Sequence, residues 1–154
     1  MRWDLGWPSV TRMTDTPEKI VYTAAVTTTG GRRGGHAVSD DGQLDVTLQA
    51  PKEMGGPGGG TNPEQLFAAG YGACFQGAMG LAAKELDLAV KESTLHVEIG
   101  FGPEGESYAI TATIRASVPG LGTDDVQRLL ERTHELCPYS KATRGNVPVT
   151  LIAE

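Results

Sequence analysis

The sequence is poor in the residues that build metal centres, disulfide frameworks and nucleic-acid surfaces. It contains two cysteines and three histidines in 154 residues, and its formal net charge is −6. A nucleic-acid surface needs a basic face to meet the phosphates, so a chain of this charge is not expected to bind DNA or RNA. No stretch approaches the roughly 20 apolar residues of a membrane span, and no apolar segment near the N-terminus indicates a secretory signal.

The scarcity of cysteine also limits what the two thiols can do. Without a secretory signal they predict a cytoplasmic chain whose thiols are normally reduced. In that compartment a cysteine pair is redox-active, metal-binding or inert rather than a permanent crosslink. His134 and Cys137 have half of a zinc-site spacing, but no second closely spaced pair accompanies them. A metal site is therefore not expected.

The order of predicted elements indicates an α+β fold. Apolar and polar residues alternate in four segments, which predicts half-buried strands over residues 20–28, 43–49, 94–101 and 108–118. A final strand follows over 147–152, with Pro148 at its edge or its start. Strands come first, then a helix, a hairpin, a second helix and the last strand, which favours mainly antiparallel pairing. The length fits one domain, residues 19–154, preceded by a poorly ordered arm, residues 1–18.

Two helices are predicted from their start signals. The first begins with Asn62 as N-cap and Pro63 at the first helical position, and carries no charge from Leu66 to Ala83. Such a helix must be covered on most sides. The second begins with Thr123 as N-cap and is stopped by Pro138, which leaves Cys137 in its last turn.

Cys74 lies in the segment "GYGACFQGAMG" and has two possible roles. It is either a small apolar residue in a packed helix or a reactive thiol, and a reactive thiol must be stabilised as a thiolate. The candidate cations are Arg32 and Arg33 in the glycine-rich "GGRRGG". Glu64, at the start of the first helix, is the nearest plausible carboxylate to anchor an arginine.

Distance along the first helix limits that arrangement. Glu64 and Cys74 are ten positions apart, which is about 15 Å along a straight helix, too far for one arginine to touch both. We therefore expect the helix to break near Gly70 and Gly72, with a new helix beginning close to Cys74. The N-terminus of that new helix would then join the arginine in lowering the thiol pKa.

Four segments identify a family resemblance when taken together. The "GGR" turn, "LDVTLQAPKEMGG", "GTNPEQLFAAGYGACF" and "HELCPYSKATRGNVPV" closely resemble the organic hydroperoxide resistance (Ohr) proteins of the OsmC superfamily. The resemblance runs from about residue 20 to the end of the chain. It implies an intertwined α+β homodimer, with mainly antiparallel sheets around central helices and two active sites at the dimer interface.

The resemblance also implies a mechanism and roles for four residues. Cys74 matches the peroxidatic cysteine and Cys137 the resolving cysteine, while Arg32 matches the arginine that holds the thiolate and Glu64 the carboxylate paired with it. Members of the family reduce organic hydroperoxides, notably those of fatty acids, through a sulfenic acid and an intramolecular disulfide. They hold no cofactor, and lipoyl groups on a partner protein reduce the disulfide.

Alternatives remain open from the sequence. An OsmC-like peroxidase would prefer hydrogen peroxide, and a non-enzymatic ligand-binding or redox-sensing domain would cycle its cysteines without sustained turnover. The large apolar residues of the first helix have two readings as well, as the floor of an alkyl pocket or as core. They are Leu66, Phe67, Tyr71, Phe75 and Met79.

Overall fold

The structure, a computed structural model, describes residues 16–154. The strands of this part are β1 (Val26–Thr29), β2 (Gly35–Ser39), β3 (Asp45–Leu48), β4 (Thr94–Glu104), β5 (Ser107–Ser117) and β6 (Val149–Ala153). The helices are α1 (Pro63–Glu85), α2 (Thr123–Leu136) and α3 (Pro138–Thr143). The α+β class is as predicted, and the predicted elements occur in the predicted order, but β2 and α3 were not predicted. The predicted arm, residues 1–18, lies almost entirely outside the described residues.

The strands form two three-stranded sheets. In the first, β2 pairs antiparallel with both β1 and β3. In the second, β5 pairs antiparallel with β4 and parallel with β6, which lies at the edge. Pro148 immediately precedes β6, and its carbonyl accepts a hydrogen bond from the Ala112 N–H at 2.9 Å. A residue without an N–H is tolerated at the start of an edge strand, so the expectation for Pro148 is confirmed.

The predicted strand over residues 20–28 is wrong in its first half. Regular pairing begins only at Val26, and the preceding Ile20, Val21 and Tyr22 are 64%, 88% and 77% exposed. Alternation produces a half-buried strand only where a neighbouring surface covers the apolar side. No other part of the described chain covers these three side chains.

The core lies between α1, α2 and the second sheet. Its largest fully buried side chains are Tyr71, Phe75, Met79, Ile114, Val126, Leu129 and Leu130. By length and composition α1 is apolar enough to cross a membrane, so the expectation that no stretch approaches such a span is wrong. Core helices of other folds share this property. Because α1 packs against β4, α2 and α3, it is the central helix of this fold.

The start of α1 is as predicted, but the break within it is not. The Asn62 side chain accepts a hydrogen bond from the Gln65 N–H at 2.9 Å, and Pro63 is the first helical residue. The helix then runs without interruption for 23 residues. Its glycines allow close packing instead, because a Cβ at Gly70 would lie 3.4 Å from the Tyr139 ring. The expected second helix start near Cys74 is therefore wrong.

The second helix differs slightly from its prediction. Its N-cap is Gly122, and Thr123, the predicted cap, is the first helical residue. Pro138 does end α2, but as the first residue of α3 it also begins a new helix. Cys137 is consequently the junction residue between the two helices, one position beyond the last turn in which it was expected.

Candidate functional site

The fold brings the two cysteines together. Cys74 lies on α1 and Cys137 at the α2–α3 junction, 63 positions later, and their Sγ atoms are 3.6 Å apart. Both thiols are free; Cys137 is fully buried, whereas Cys74 is partly exposed. The backbone of Cys137 is fixed on both sides, since its N–H donates to the Thr133 carbonyl and its carbonyl accepts from the Lys141 N–H, each at 2.9 Å.

Opposing influences act on the Cys74 thiol. Burial raises its pKa, while a hydrogen bond from the backbone N–H of Tyr139 acts in the opposite direction. The neighbouring Cys137 raises the pKa further, because two sulfurs cannot both ionise easily in contact. The net effect is a pKa above the ordinary value. An amide from a helix start does reach Cys74, but it belongs to α3. The expected helix start within α1 and the expected lowering of the thiol pKa are not found within this chain.

Arg32 and Glu64 form a second cluster. Arg32 lies in one turn of 3-10 helix, Gly31–Arg33, and both of its terminal nitrogens donate to the Glu64 carboxylate, at 2.8 and 3.1 Å. The guanidinium also stacks 4.9 Å from the centre of the Phe101 ring and lies 3.9 Å from the Met54 Sδ. This two-pronged ion pair, backed by an aromatic face, holds the cation in one orientation.

The two clusters do not meet within the described chain. The contacts of Arg32 are to Glu64, Phe101 and Met54, and no cation is among the groups that shift the pKa of Cys74. Because α1 is continuous, Glu64 and Cys74 are separated by about 15 Å of helix rise. Within one chain, the arginine that pairs with Glu64 therefore does not also contact Cys74. Arg33, the other candidate cation, lines a separate small pocket with Gln49 and Gly55.

An apolar cavity of about 330 Å³ lies beside Glu64. Its apolar walls come from Pro51, Met54, Ala68, Val97, Ile99 and Phe101. None of the five α1 residues considered for a pocket floor lines this cavity. Tyr71, Phe75 and Met79 are buried in the core, which was the other interpretation. Three of the residues that line the cavity, Val97, Ile99 and Phe101, lie on one face of β4, as the alternation in its sequence predicts.

Sequence reasoning missed a hydrogen-bonded network around Cys137. The Ser140 hydroxyl lies 2.8 Å from His134 Nδ1 and 2.9 Å from the Tyr71 hydroxyl, which is itself 3.2 Å from Thr143 Oγ1. Polar residues three positions before and after Cys137 were the available signal. The spacing in the sequence indicates His134 only as half of a metal site, and residues 16–154 contain no group of three side chains that could hold a metal ion.

Comparisons with known proteins agree on one family. Residues 56–152 match the family model of the OsmC-like proteins. An organic hydroperoxide resistance protein of Xanthomonas axonopodis pv. citri is 50% identical over 137 residues, 88% of this chain and 96% of that protein.

Two solved structures show the same fold. The organic hydroperoxide resistance protein of Legionella pneumophila is 39% identical with a TM-score of 0.83, over 88% of this chain and 99% of the other. The corresponding protein OhrB of Bacillus subtilis is 42% identical with a TM-score of 0.79, over 88% and 100% of the two chains.

Proposed function

This chain belongs to the OsmC/Ohr family, and from that premise we propose that it is a cysteine-based peroxidase that reduces organic hydroperoxides to alcohols. Its relatives are named for organic hydroperoxide resistance, so a role in peroxide resistance follows from the family itself. The observation that carries the finer proposal is the 3.6 Å separation of a partly exposed and a fully buried sulfur. The partly exposed Cys74 sulfur can contact a substrate, whereas the buried Cys137 sulfur can contact only Cys74.

The first step is oxidation of Cys74. Its thiolate attacks the distal peroxide oxygen, forming an S–O bond and breaking the O–O bond, and the alkoxide takes up a proton to leave as an alcohol. Cys74 becomes a sulfenic acid. Cys137 is the resolving residue because it is already in contact with the sulfur that has been oxidised.

The second and third steps restore the thiols. The Cys137 sulfur displaces the sulfenic oxygen as water, so that an S–S bond forms while the S–O bond breaks. A dithiol then reduces the disulfide by exchange and is itself oxidised to a disulfide. We propose a lipoyl group on a partner protein as that dithiol, with no bound cofactor. A cycle that consumes dithiols requires a reducing compartment, which favours the cytoplasm.

The activating cation comes from a second copy of the chain in this proposal. The pKa of Cys74 is raised within its own chain, mainly by burial, and the Arg32–Glu64 pair is a helix segment away. One face of α1 is exposed and uncharged, and includes Ala69, Ala73, Gly77 and Leu81. Small residues spaced along a helix permit close approach of another helix. A homodimer packed there would place Arg32 and Glu64 of one chain at Cys74 of the other.

The role of Arg32 is then electrostatic. A guanidinium at the sulfur lowers the thiol pKa and stabilises the charge that develops on the departing oxygen. Glu64 orients the Arg32 guanidinium, because a carboxylate that accepts two hydrogen bonds fixes the plane of the guanidinium. The cavity beside Glu64 is apolar enough to bind the alkyl chain of the substrate.

Substrate preference tests the proposed function. With dihydrolipoamide as reductant, we expect kcat/KM for a fatty-acid hydroperoxide to exceed that for hydrogen peroxide by about 10- to 100-fold, because two or three buried methylenes contribute that much. Consumption of each peroxide is measured under matched conditions. Preference for hydrogen peroxide would instead indicate an OsmC-like peroxidase. A single oxidation per chain without sustained consumption would indicate a redox-sensing domain.

Complementation between two variants tests whether Arg32 of one chain acts on Cys74 of the other. Arg32→Ala alone is expected to lower kcat/KM by about 100- to 1,000-fold through loss of charge stabilisation. When Arg32→Ala and Cys74→Ser chains are co-expressed, half of the dimers are mixed and each contains one intact site. Activity should therefore recover to about a quarter of the wild-type value in a symmetric two-site dimer.

A matched pair of variants provides the control for complementation. Co-expressed Cys74→Ser and Cys137→Ser chains should show no recovery, since both sulfurs of a site come from one chain. Absence of recovery with Arg32→Ala as well would show that the arginine does not act across the interface. Recovery in both mixtures would contradict the placement of the two sulfurs in one chain's site.

A further inference from the structure

The α2–α3 junction is tied to α1 by two buried hydroxyl groups that follow Cys137, those of Ser140 and Thr143, and both contact the Tyr71 hydroxyl. His134 precedes Cys137 by three residues and Ser140 follows it by three, and the 2.8 Å contact between them spans the junction. Ser140 also meets the hydroxyl of Tyr71, which is one turn before Cys74 on α1. These contacts therefore connect the segment that holds Cys137 to α1 at a point one turn from Cys74.

The available hydroxyl protons determine which group donates and which accepts at each hydrogen bond of this network. Thr143 Oγ1 donates to the Ser140 carbonyl, so towards Tyr71 it acts as the acceptor. The Tyr71 hydroxyl then donates to Thr143 and accepts from the Ser140 hydroxyl, and Ser140 in turn accepts from His134 Nδ1–H. Each group donates once, and every hydroxyl is satisfied. Within residues 16–154 no buried side-chain nitrogen or oxygen lacks a partner.

Burial makes the network stiff. Tyr71 and Ser140 are fully inaccessible and Thr143 is 5% exposed, so water cannot replace a lost partner. A buried hydroxyl without a partner costs the full desolvation of that group. A residue after α3 also fixes the junction, because the Arg144 guanidinium donates a hydrogen bond to the His134 carbonyl at 2.6 Å. Little freedom remains in the segment that holds Cys137.

We infer that the network of His134, Ser140, Tyr71 and Thr143 is a positioning device that holds Cys137 in line for attack on oxidised Cys74. This inference rests on the proposed function and adds residues to its second step. From 3.6 Å the sulfurs need to approach by roughly 1.5 Å to bond, and displacement has to occur from behind the S–O bond. An error of about 1 Å in such a placement costs on the order of 100-fold in rate.

Tyr71→Phe and Ser140→Ala test this role. After one equivalent of peroxide, Cys137 and the trapping reagent dimedone compete for the sulfenic acid of Cys74, and mass spectrometry measures the ratio of disulfide to adduct. We expect this ratio to fall by about 10- to 100-fold in both variants. The rate of the first oxidation should fall far less than this ratio, because neither side chain contacts the Cys74 sulfur.

Thr133→Val provides the matched control. Thr133 is equally buried on α2, but its hydroxyl bonds only to the Leu129 carbonyl of its own helix. We expect it to keep the wild-type ratio even if its stability falls. An equal ratio in Tyr71→Phe and wild type would overturn the inference. An equal drop in Thr133→Val would also overturn it, since general loosening would then explain the effect.

A second oxidant separates this inference from the proposed function. Diamide takes two electrons from a pair of thiols and yields a disulfide and a hydrazine without any peroxide or sulfenic acid. Its second step again requires the Cys74 and Cys137 sulfurs to meet, so the variants should be slower than wild type there too. A wild-type chain that diamide oxidises rapidly but organic hydroperoxides do not would refute the peroxidase and leave the positioning role intact.

Discussion

Cys74→Ser is expected to abolish peroxide consumption, lowering kcat/KM by at least about 1,000- to 10,000-fold. A serine hydroxyl does not ionise near neutral pH and is a far weaker nucleophile towards a peroxide oxygen than a thiolate. Its oxygen also cannot accept an oxygen atom as sulfur does on the way to a sulfenic acid. The measurement is the initial rate of lipid hydroperoxide loss with dihydrolipoamide as reductant.

The structure indicates that Cys74→Ser removes the thiol without disturbing the fold. Cys74 is only partly buried and has no disulfide, so serine at this position should leave α1 and its packing intact. Thermal unfolding and the circular dichroism spectrum of the variant provide the control. Residual activity above a few per cent in a folded variant would assign the chemistry to some other group, and the proposed mechanism would have to be given up.

Cys137→Ser should separate the first oxidation from turnover. We expect the first equivalent of peroxide to be consumed at close to the wild-type rate, because Cys137 lies behind Cys74 and is fully buried. Steady turnover with a lipoyl dithiol should then fall by at least about tenfold, since the disulfide that exchange requires cannot form. Sulfenic acid should accumulate, and excess peroxide should drive it to the sulfinic form.

The readouts for Cys137→Ser are stopped-flow peroxide loss and the mass of the oxidised chain. We expect its first oxidation to be no slower than that of the wild type, because Cys137 is one of the groups that raise the pKa of Cys74. Sustained turnover at the wild-type rate would mean that the dithiol reduces the sulfenic acid directly. Cys137 would then not be the resolving residue.

The raised pKa of Cys74 within one chain has a consequence for regulation of the site. Burial and the Cys137 sulfur both favour the neutral thiol, and only the Tyr139 amide opposes them. A thiol in this state reacts slowly with peroxide. If Arg32 of a second copy completes the site, activation depends on assembly, and separated chains would be protected from oxidation. The complementation experiment tests this dependence directly.

Local signals in the sequence predicted the helix starts and most of the strands well. Asn62 and Pro63 determine where α1 begins because a capping oxygen and a fixed φ act within one turn. Alternation in β4 and β5 predicted which side of each strand faces the core, except at Tyr108, which is exposed. Strand periodicity is a property of neighbouring residues and can be read locally. The same reasoning failed at residues 20–25, where the surface that would cover the apolar side is not in the local sequence.

The break expected at Gly70 and Gly72 shows the limit of such reasoning. Glycine weakens a helix locally, but here the absence of side chains lets Tyr139 and Val97 pack closely, and that packing holds the helix straight. Propensity is worth about 1 kcal/mol per glycine, whereas burial of aromatic and branched side chains against the helix is worth more. Tertiary contacts therefore outweighed the local preference.

The sequence by itself determined the family and the α+β class, because long specific motifs and local periodicity depend only on neighbouring residues. It also identified the residues of interest, which are Cys74, Cys137, Arg32 and Glu64. Only the tertiary structure decided that the two sulfurs lie 3.6 Å apart, that Arg32 pairs with Glu64 away from Cys74, and that α3 supplies the amide to the thiol. The reason is distance along the chain: each of these contacts joins segments that only packing of the whole core brings together.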